Sequence, residues 1–230
     1  MKKKGKKEVQ QLKKKGHLER RRQAKARRRE KPDLARAAPS KLKKANLLIV
    51  CEGELTEPSY FRKFRLSSAQ IKAVGEGYNT TTLVDRASAL ASEDIYDQVW
   101  CVFDKDDFSD QDFNSAVQKA EALGMGVAYS NQAFEYWIIL HFEDHQGGAM
   151  HRNQYCDKIN ERLKPLDLDF DCDRKGVTDE LFDLMQAENR QNQAIKRAQR
   201  IYEDLPHDSP AKEESSTTVF KLVQEIVKYQ

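Results

Sequence analysis

No apolar run of about 18 residues occurs anywhere in this 230-residue chain. The basic N-terminus is not followed by the apolar segment of a secretory signal. Neither a membrane span nor an export signal is expected, and the compartment expected is the cytoplasm. Cysteine is scarce as well: Cys51, Cys101, Cys156 and Cys172 are too widely spaced for a zinc knuckle or a Cys-x-x-Cys redox pair. Two of them fall inside apolar strand patterns, where a reduced thiol acts as a small hydrophobe. A Walker A loop is also missing, since Gly75-Glu76-Gly77 has neither a third glycine at the right offset nor a phosphate-binding lysine. Any ATP dependence would have to come from a partner ATPase.

What is present is divided sharply by charge. Residues 1 to 45 carry 20 Lys and Arg against 4 acids, whereas the remaining 185 residues carry 20 basic and 33 acidic side chains. The net charge of +3 thus conceals a basic arm and an acidic body. Residues 1–44 cannot bury enough apolar surface to fold alone, so a disordered or exposed-helical arm is expected. Arg20, Arg21, Arg22, Arg27, Arg28 and Arg29 suit contact with nucleic-acid phosphates through counterion release. With no aromatic interleaved for base stacking, such binding would be sequence-independent. A solubilising tail is the alternative.

The body, 45–230, opens on Leu47-Leu48-Ile49-Val50-Cys51, which runs into Glu52-Gly53-Glu54 and then Thr56-Glu57-Pro58. A continuous apolar run ended by turn chemistry predicts a strand covered on both faces. Thr56 is a candidate cap for the next helix, with Glu57 and Pro58 in its first turn. A second such unit, Val99 to Phe103, delivers Asp104, Asp106 and Asp107. If the two strands are neighbours in a parallel sheet, their acids form one cluster. Crowded carboxylates repel, and a bound cation relieves the repulsion. Oxygen ligands without nearby Cys or His favour Mg²⁺ or Mn²⁺ over Zn²⁺.

Helices expected at 57–66, 80–91 and 111–123 alternate with strands at 70–74 and 126–130, the signature of an α/β fold with a mostly parallel sheet over 45–146. A helix over 133–142 is apolar nearly all round and therefore buried. Glu135 is its exception, either a site residue or an exposed acid at the helix start. His141 on its apolar face is either a core histidine or a catalytic base. From 147 to 230 the pattern is mainly helical, with helices at 151–163, 178–203 and 215–228. The acidic stretch 166–173 lacks the offsets of a calcium loop. Arg190, Lys196, Arg197 and Arg200 form a basic stripe facing either a nucleic-acid backbone or surface acids.

The string Leu48-Ile49-Val50-Cys51-Glu52-Gly53-Glu54, with Thr56-Glu57-Pro58 and Tyr60-Phe61, resembles the opening of RloB-like proteins. Val102-Phe103-Asp104-Lys105-Asp106-Asp107, Ser130-Asn131 with Phe134-Glu135 and Trp137, Leu140-His141-Phe142 and Ser216-Thr217-Thr218-Val219 strengthen the likeness, which covers about 44–228. RloB-like proteins are associated with restriction-modification and phage-defence loci and are regarded as relatives of the Toprim fold. The resemblance implies a Rossmann-like sheet in which Glu52 and the pair Asp104 and Asp106 hold the chemistry. It also marks Asn131 and Glu135 as pocket residues; Glu54, Glu57 and His141 are further pocket candidates from their places in the chain.

The expected activity is Mg²⁺- or Mn²⁺-dependent hydrolysis of phosphodiesters in DNA or RNA. Glu52, Asp104 and Asp106 would be catalytic, with Asp107 as a further metal ligand. No tyrosine is assignable as a covalent nucleophile, so hydrolysis is preferred to transesterification. The alternative is a non-catalytic subunit that binds nucleic acid or a defence ATPase.

Overall fold

The computed structural model describes residues 16, 19–20, 45–75, 77, 80–106, 108–146, 150–171 and 176–230, the side chain of Arg152 excepted. The chain divides into two units, Met1–Leu42 and Lys43–Gln230. In the first, residues 16, 19 and 20 are helical, and Glu19 and Arg20 are exposed. Arg21, Arg22, Arg27, Arg28 and Arg29 lie outside the described residues.

The second unit is built on four parallel strands, β1 (Ala45–Cys51), β2 (Ala69–Gly75), β3 (Gln98–Asp104) and β4 (Gly126–Ser130), in the order β2-β1-β3-β4. The continuous apolar run of β1 is explained by its central place. Leu47, Ile49 and Cys51 join one core and Leu48 and Val50 the other, all at 0% exposure. Helices α2 (Thr80–Glu93) and α3 (Asp110–Ala122) cover the Leu48 face. The opposite face is covered by α1 (Thr56–Arg62), α4 (Glu135–Phe142), α5 (Arg152–Leu163), α6 (Asp179–Gln186), α7 (Arg190–Glu203) and α8 (Val219–Val227). The fold is thus α/β and Rossmann-like, with a helical C-terminal part. Among the described residues no helix is long and apolar enough to cross a membrane.

Several expected boundaries change for physical reasons. The helix expected over 178–203 is interrupted at Ala187–Asn189, where Glu188 (φ 51°) and Asn189 (φ 62°) take left-handed backbone. Helix α8 starts at Val219 and not at 215, because the preceding residues pair with the edge of β4. Thr217 bridges Ser130 antiparallel, Ser216 O accepts from Asn131 N at 2.8 Å, and Thr218 Oγ1 accepts from Tyr129 N at 2.8 Å. That contact closes one sheet edge, which would otherwise leave free pairing groups. Thr56 does not cap α1: Leu55 holds the N-cap position with no side-chain bond, and Thr56 is buried as the first helical residue. Cys51 and Cys101 are free and buried, whereas Cys156 is disulfide-bonded, a state that spacing alone does not reveal.

The stripe on α7 is largely engaged within the protein. Arg197 donates to Leu140 O at 2.7 Å, Arg200 pairs with Asp144 at 2.6 Å and Arg190 with Glu188 at 2.5 Å. Lys196 is exposed.

Candidate functional site

Chain order reverses at β1, since β2 lies on one side of it and β3 on the other. In open α/β sheets the crevice beyond the strand ends at such a switch point is where ligands bind. Glu52 is the residue after β1, and Asp104 is the last residue of β3. They meet directly: Asp104 N donates to Glu52 Oε2 at 3.2 Å. The Glu52 backbone is pinned on both sides, its N–H donating to Val102 O at 2.9 Å and its carbonyl accepting from Gly77 N at 3.0 Å. Asp104 is 5% exposed, and its Oδ2 accepts from Phe134 N at 3.1 Å, so the β4–α4 turn orients the β3 carboxylate.

Close backbone approach shapes the rest. A Cβ on Gly75 would lie 2.5 Å from Gly53 O, and one on Gly53 would lie 2.2 Å from Glu57 Oε2. The two glycines thereby let the β1 loop pack against the β2 end while the buried Glu57 carboxylate folds back over Gly53. Asp106 takes φ 38° in a turn closed by Phe108 N donating to Lys105 O at 3.2 Å. Lys105 is 9% exposed, donating to Phe108 O at 2.6 Å and pairing with Asp110 at 3.3 Å.

The result is an open cleft of about 380 Å³ into which Glu52, Glu54, Glu57, Asp104, Asp106 and Glu135 all face. Glu135 is 1% exposed and its Oε2 has no hydrogen-bond partner. A buried carboxylate oxygen without a partner, in an all-oxygen donor set, fits a hard cation. Among the described residues no three acidic, histidine or thiol side chains converge at metal-holding distance. Asp107 lies outside the described residues.

Asn131 and His141 stand apart from the cleft lining. Asn131 is 0% exposed and donates through Nδ2 to Pro210 O at 2.8 Å, anchoring the 210–218 segment. His141 is 1% exposed, with Nδ1 2.9 Å from Trp137 O, and burial lowers its pKa from 6.5 to about 4. It is a neutral core histidine above that range. Burial, and then the charge of Glu57, push the Cys51 thiol well above its ordinary range, which leaves it inert as a nucleophile. Sequence reasoning missed Lys105, whose role depends on a turn, and Leu55 and Phe108, which reach the cleft only because their loops do.

A family model described as RloB-like protein matches residues 47–226. No curated protein and no solved structure matches the chain.

Proposed function

The chain belongs to the RloB-like family, and from that premise we propose that it is a metal-dependent nuclease hydrolysing phosphodiester bonds of DNA or RNA in phage defence. One observation carries the reading: carboxylates from the carboxyl ends of β1 and β3 and from the first turns of α1 and α4 line a single cleft at the switch point of the sheet. Asp104 and Asp106, with Glu52, would hold Mg²⁺ or Mn²⁺. Such a cation neutralises charge on the scissile phosphate and lowers the pKa of a bound water.

The protein's own groups supply position and proton transfer. Phe134 N aims Asp104, and Asp104 N aims Glu52, so neither carboxylate must be ordered at the moment of reaction. Glu52 would then either complete the donor set or exchange a proton with water. The basic arm, Arg20 among its residues, would raise the local concentration of polyanion around an otherwise acidic body.

The test is incubation of the full chain with plasmid, single-stranded DNA and total tRNA, in Mg²⁺, Mn²⁺ or EDTA, beside Asp104→Asn. Cleavage that needs the metal and Asp104 supports the reading, and no cleavage of any substrate sinks it. A second reading, a non-catalytic subunit binding nucleic acid or a partner ATPase, is favoured by the lack, among the described residues, of three carboxylates at metal-holding distance. It predicts that Asp104→Asn changes association with a partner and cuts nothing.

A further inference from the structure

The cleft carries an unusual balance of surfaces for a site that would accept a polyanion. Six carboxylates line it, and among the described lining residues there is no lysine, arginine or histidine. A phosphate strand therefore draws no attraction from cationic side chains there. Beside the carboxylates, Thr56 and the backbone of Gly53 and Gly77, the described lining offers apolar side chains for direct contact. Leu55 is 54% exposed, Phe108 is half-buried, and Phe134, at 1% exposure, is too covered to take part.

Neither placement is accidental to a floppy loop. Leu55 holds the N-cap position of α1, where serine, threonine, aspartate or asparagine would satisfy a free N–H, and it makes no capping bond. The leucine thus weakens the helix start while presenting an apolar side chain to the cleft. Phe108 is fixed by its own N–H to Lys105 O at 3.2 Å and by the buried Lys105 ammonium on its carbonyl at 2.6 Å. Among the described residues, the other exposed large apolar side chains, Ile95, Leu123 and Leu166, do not line the cleft.

Nucleic acid offers flat apolar surface only on base faces, and stacking in a duplex covers them. Side chains reach duplex bases at their groove edges, mainly by hydrogen bonding, where the apolar surface open to leucine or phenylalanine is little more than a thymine methyl. An unpaired nucleotide leaves its base face free for aromatic and aliphatic side chains. We infer that Leu55 and Phe108 form a base- and sugar-contacting rim, and that the strand accepted in the cleft is single-stranded or locally unpaired beside the reacting phosphate. The inference rests on the nuclease reading for its substrate class and goes beyond it in naming the form of that substrate.

The experiment has two readouts on the full chain. First, a single-stranded oligonucleotide carrying one 5-iodouracil is photo-crosslinked to the native protein, and the crosslinked peptide is mapped by mass spectrometry. A crosslink at Phe108 or Leu55, absent with the same sequence as duplex, is expected. Second, kcat/KM is compared on single-stranded and duplex substrates for the native protein, Leu55→Ala and Phe108→Leu. Losing one stacked base should lower single-strand kcat/KM by about tenfold through KM and leave the duplex value unmoved. Equal cleavage of both forms, with no crosslink outside the arm, overturns the rim while leaving the nuclease intact. A single-strand-specific crosslink at the rim without any cleavage sinks the nuclease and keeps the rim.

Discussion

The backbone N–H of Asp104 donates to Glu52 Oε2 at 3.2 Å, so the carboxylate leaving β1 is held by the last residue of the neighbouring strand. The relationship depends on parallel pairing of β1 with β3, in which Cys51 stands beside Val102. A slip of one residue would exchange the two faces of the strand and break the bond.

Glu52→Gln tests charge apart from geometry. The amide oxygen still accepts from Asp104 N, so melting temperature should stay within a few degrees of native. Metal-dependent cleavage should fall by roughly a hundredfold or more, in the range seen when a positioned acid–base group is removed. Retention of most activity with an unchanged fold would remove Glu52 from the chemistry.

The glycines of the two loops should respond differently to alanine. At Gly53 the added methyl meets the Glu57 carboxylate at 2.2 Å, the far end of a side chain and not backbone. Gly53→Ala should therefore cost little stability and displace Glu57, lowering activity. At Gly75 the methyl meets Gly53 O at 2.5 Å and Glu54 Cα at 2.6 Å, which are backbone. Gly75→Ala should destabilise by about 1–3 kcal/mol through overpacking. Urea unfolding of both variants beside a cleavage assay separates the cases; equal stability losses would show that Glu57 is not free to move.

Much of this arrangement is legible in the chain itself. The apolar run at 47–51, ended by turn chemistry, suits a doubly covered strand, which puts its acids at a strand end. The run of Val99 to Phe103 behaves likewise, and a parallel sheet follows from the alternation of strands and helices, whereas the adjacency of β1 and β3 is set by the topology. Boundaries set by long-range contacts are not legible. Residues 215–218 have helical neighbours in sequence, but they belong to the β4 edge through Ser130 and Asn131, more than 80 positions away. The break at Glu188 and Asn189 is also invisible to periodicity, because apolar residues continue on both sides of it. Glu135 is legible as an anomaly of composition, whereas the separation of Asn131 and His141 from the cleft is fixed by tertiary packing that no local pattern encodes.

His141 predicts a pH dependence of stability. Its pKa falls from 6.5 to about 4 on folding, mainly by burial. Above pH 6.5 both folded and unfolded states are neutral, and the full stability is present. As pH falls through that value the unfolded chain takes up a proton that the folded one refuses, so stability is lost down to about pH 4. The loss attributable to this residue is up to roughly 3 kcal/mol. Comparing urea unfolding of native protein and His141→Leu at pH 7 and pH 4.5 isolates it, since the surface carboxylates are common to both. Parallel losses in the two proteins would mean that His141 does not titrate in this way.

Lys105 offers the sharpest division between holding the fold and holding the site. Its ammonium is nearly buried, bonded to Phe108 O at 2.6 Å and paired with Asp110 at 3.3 Å, while its neighbours in sequence are Asp104 and Asp106. Lys105→Met keeps the apolar stem and removes the clamp, leaving Phe108 O without its charged donor. A hydrogen bond from a charged group is worth about 1.5–3 kcal/mol, so a modest fall in melting temperature is expected. A purely structural lysine would lower the fraction of folded enzyme and leave KM alone. A clamp on the Asp106–Phe108 turn would instead raise KM for single-stranded substrate at temperatures where the variant is fully folded, because the rim loses its fixed position while Asp104 keeps its bond from Phe134. Steady-state kinetics on folded Lys105→Met decides between them, and an unchanged KM would assign the lysine to stability alone.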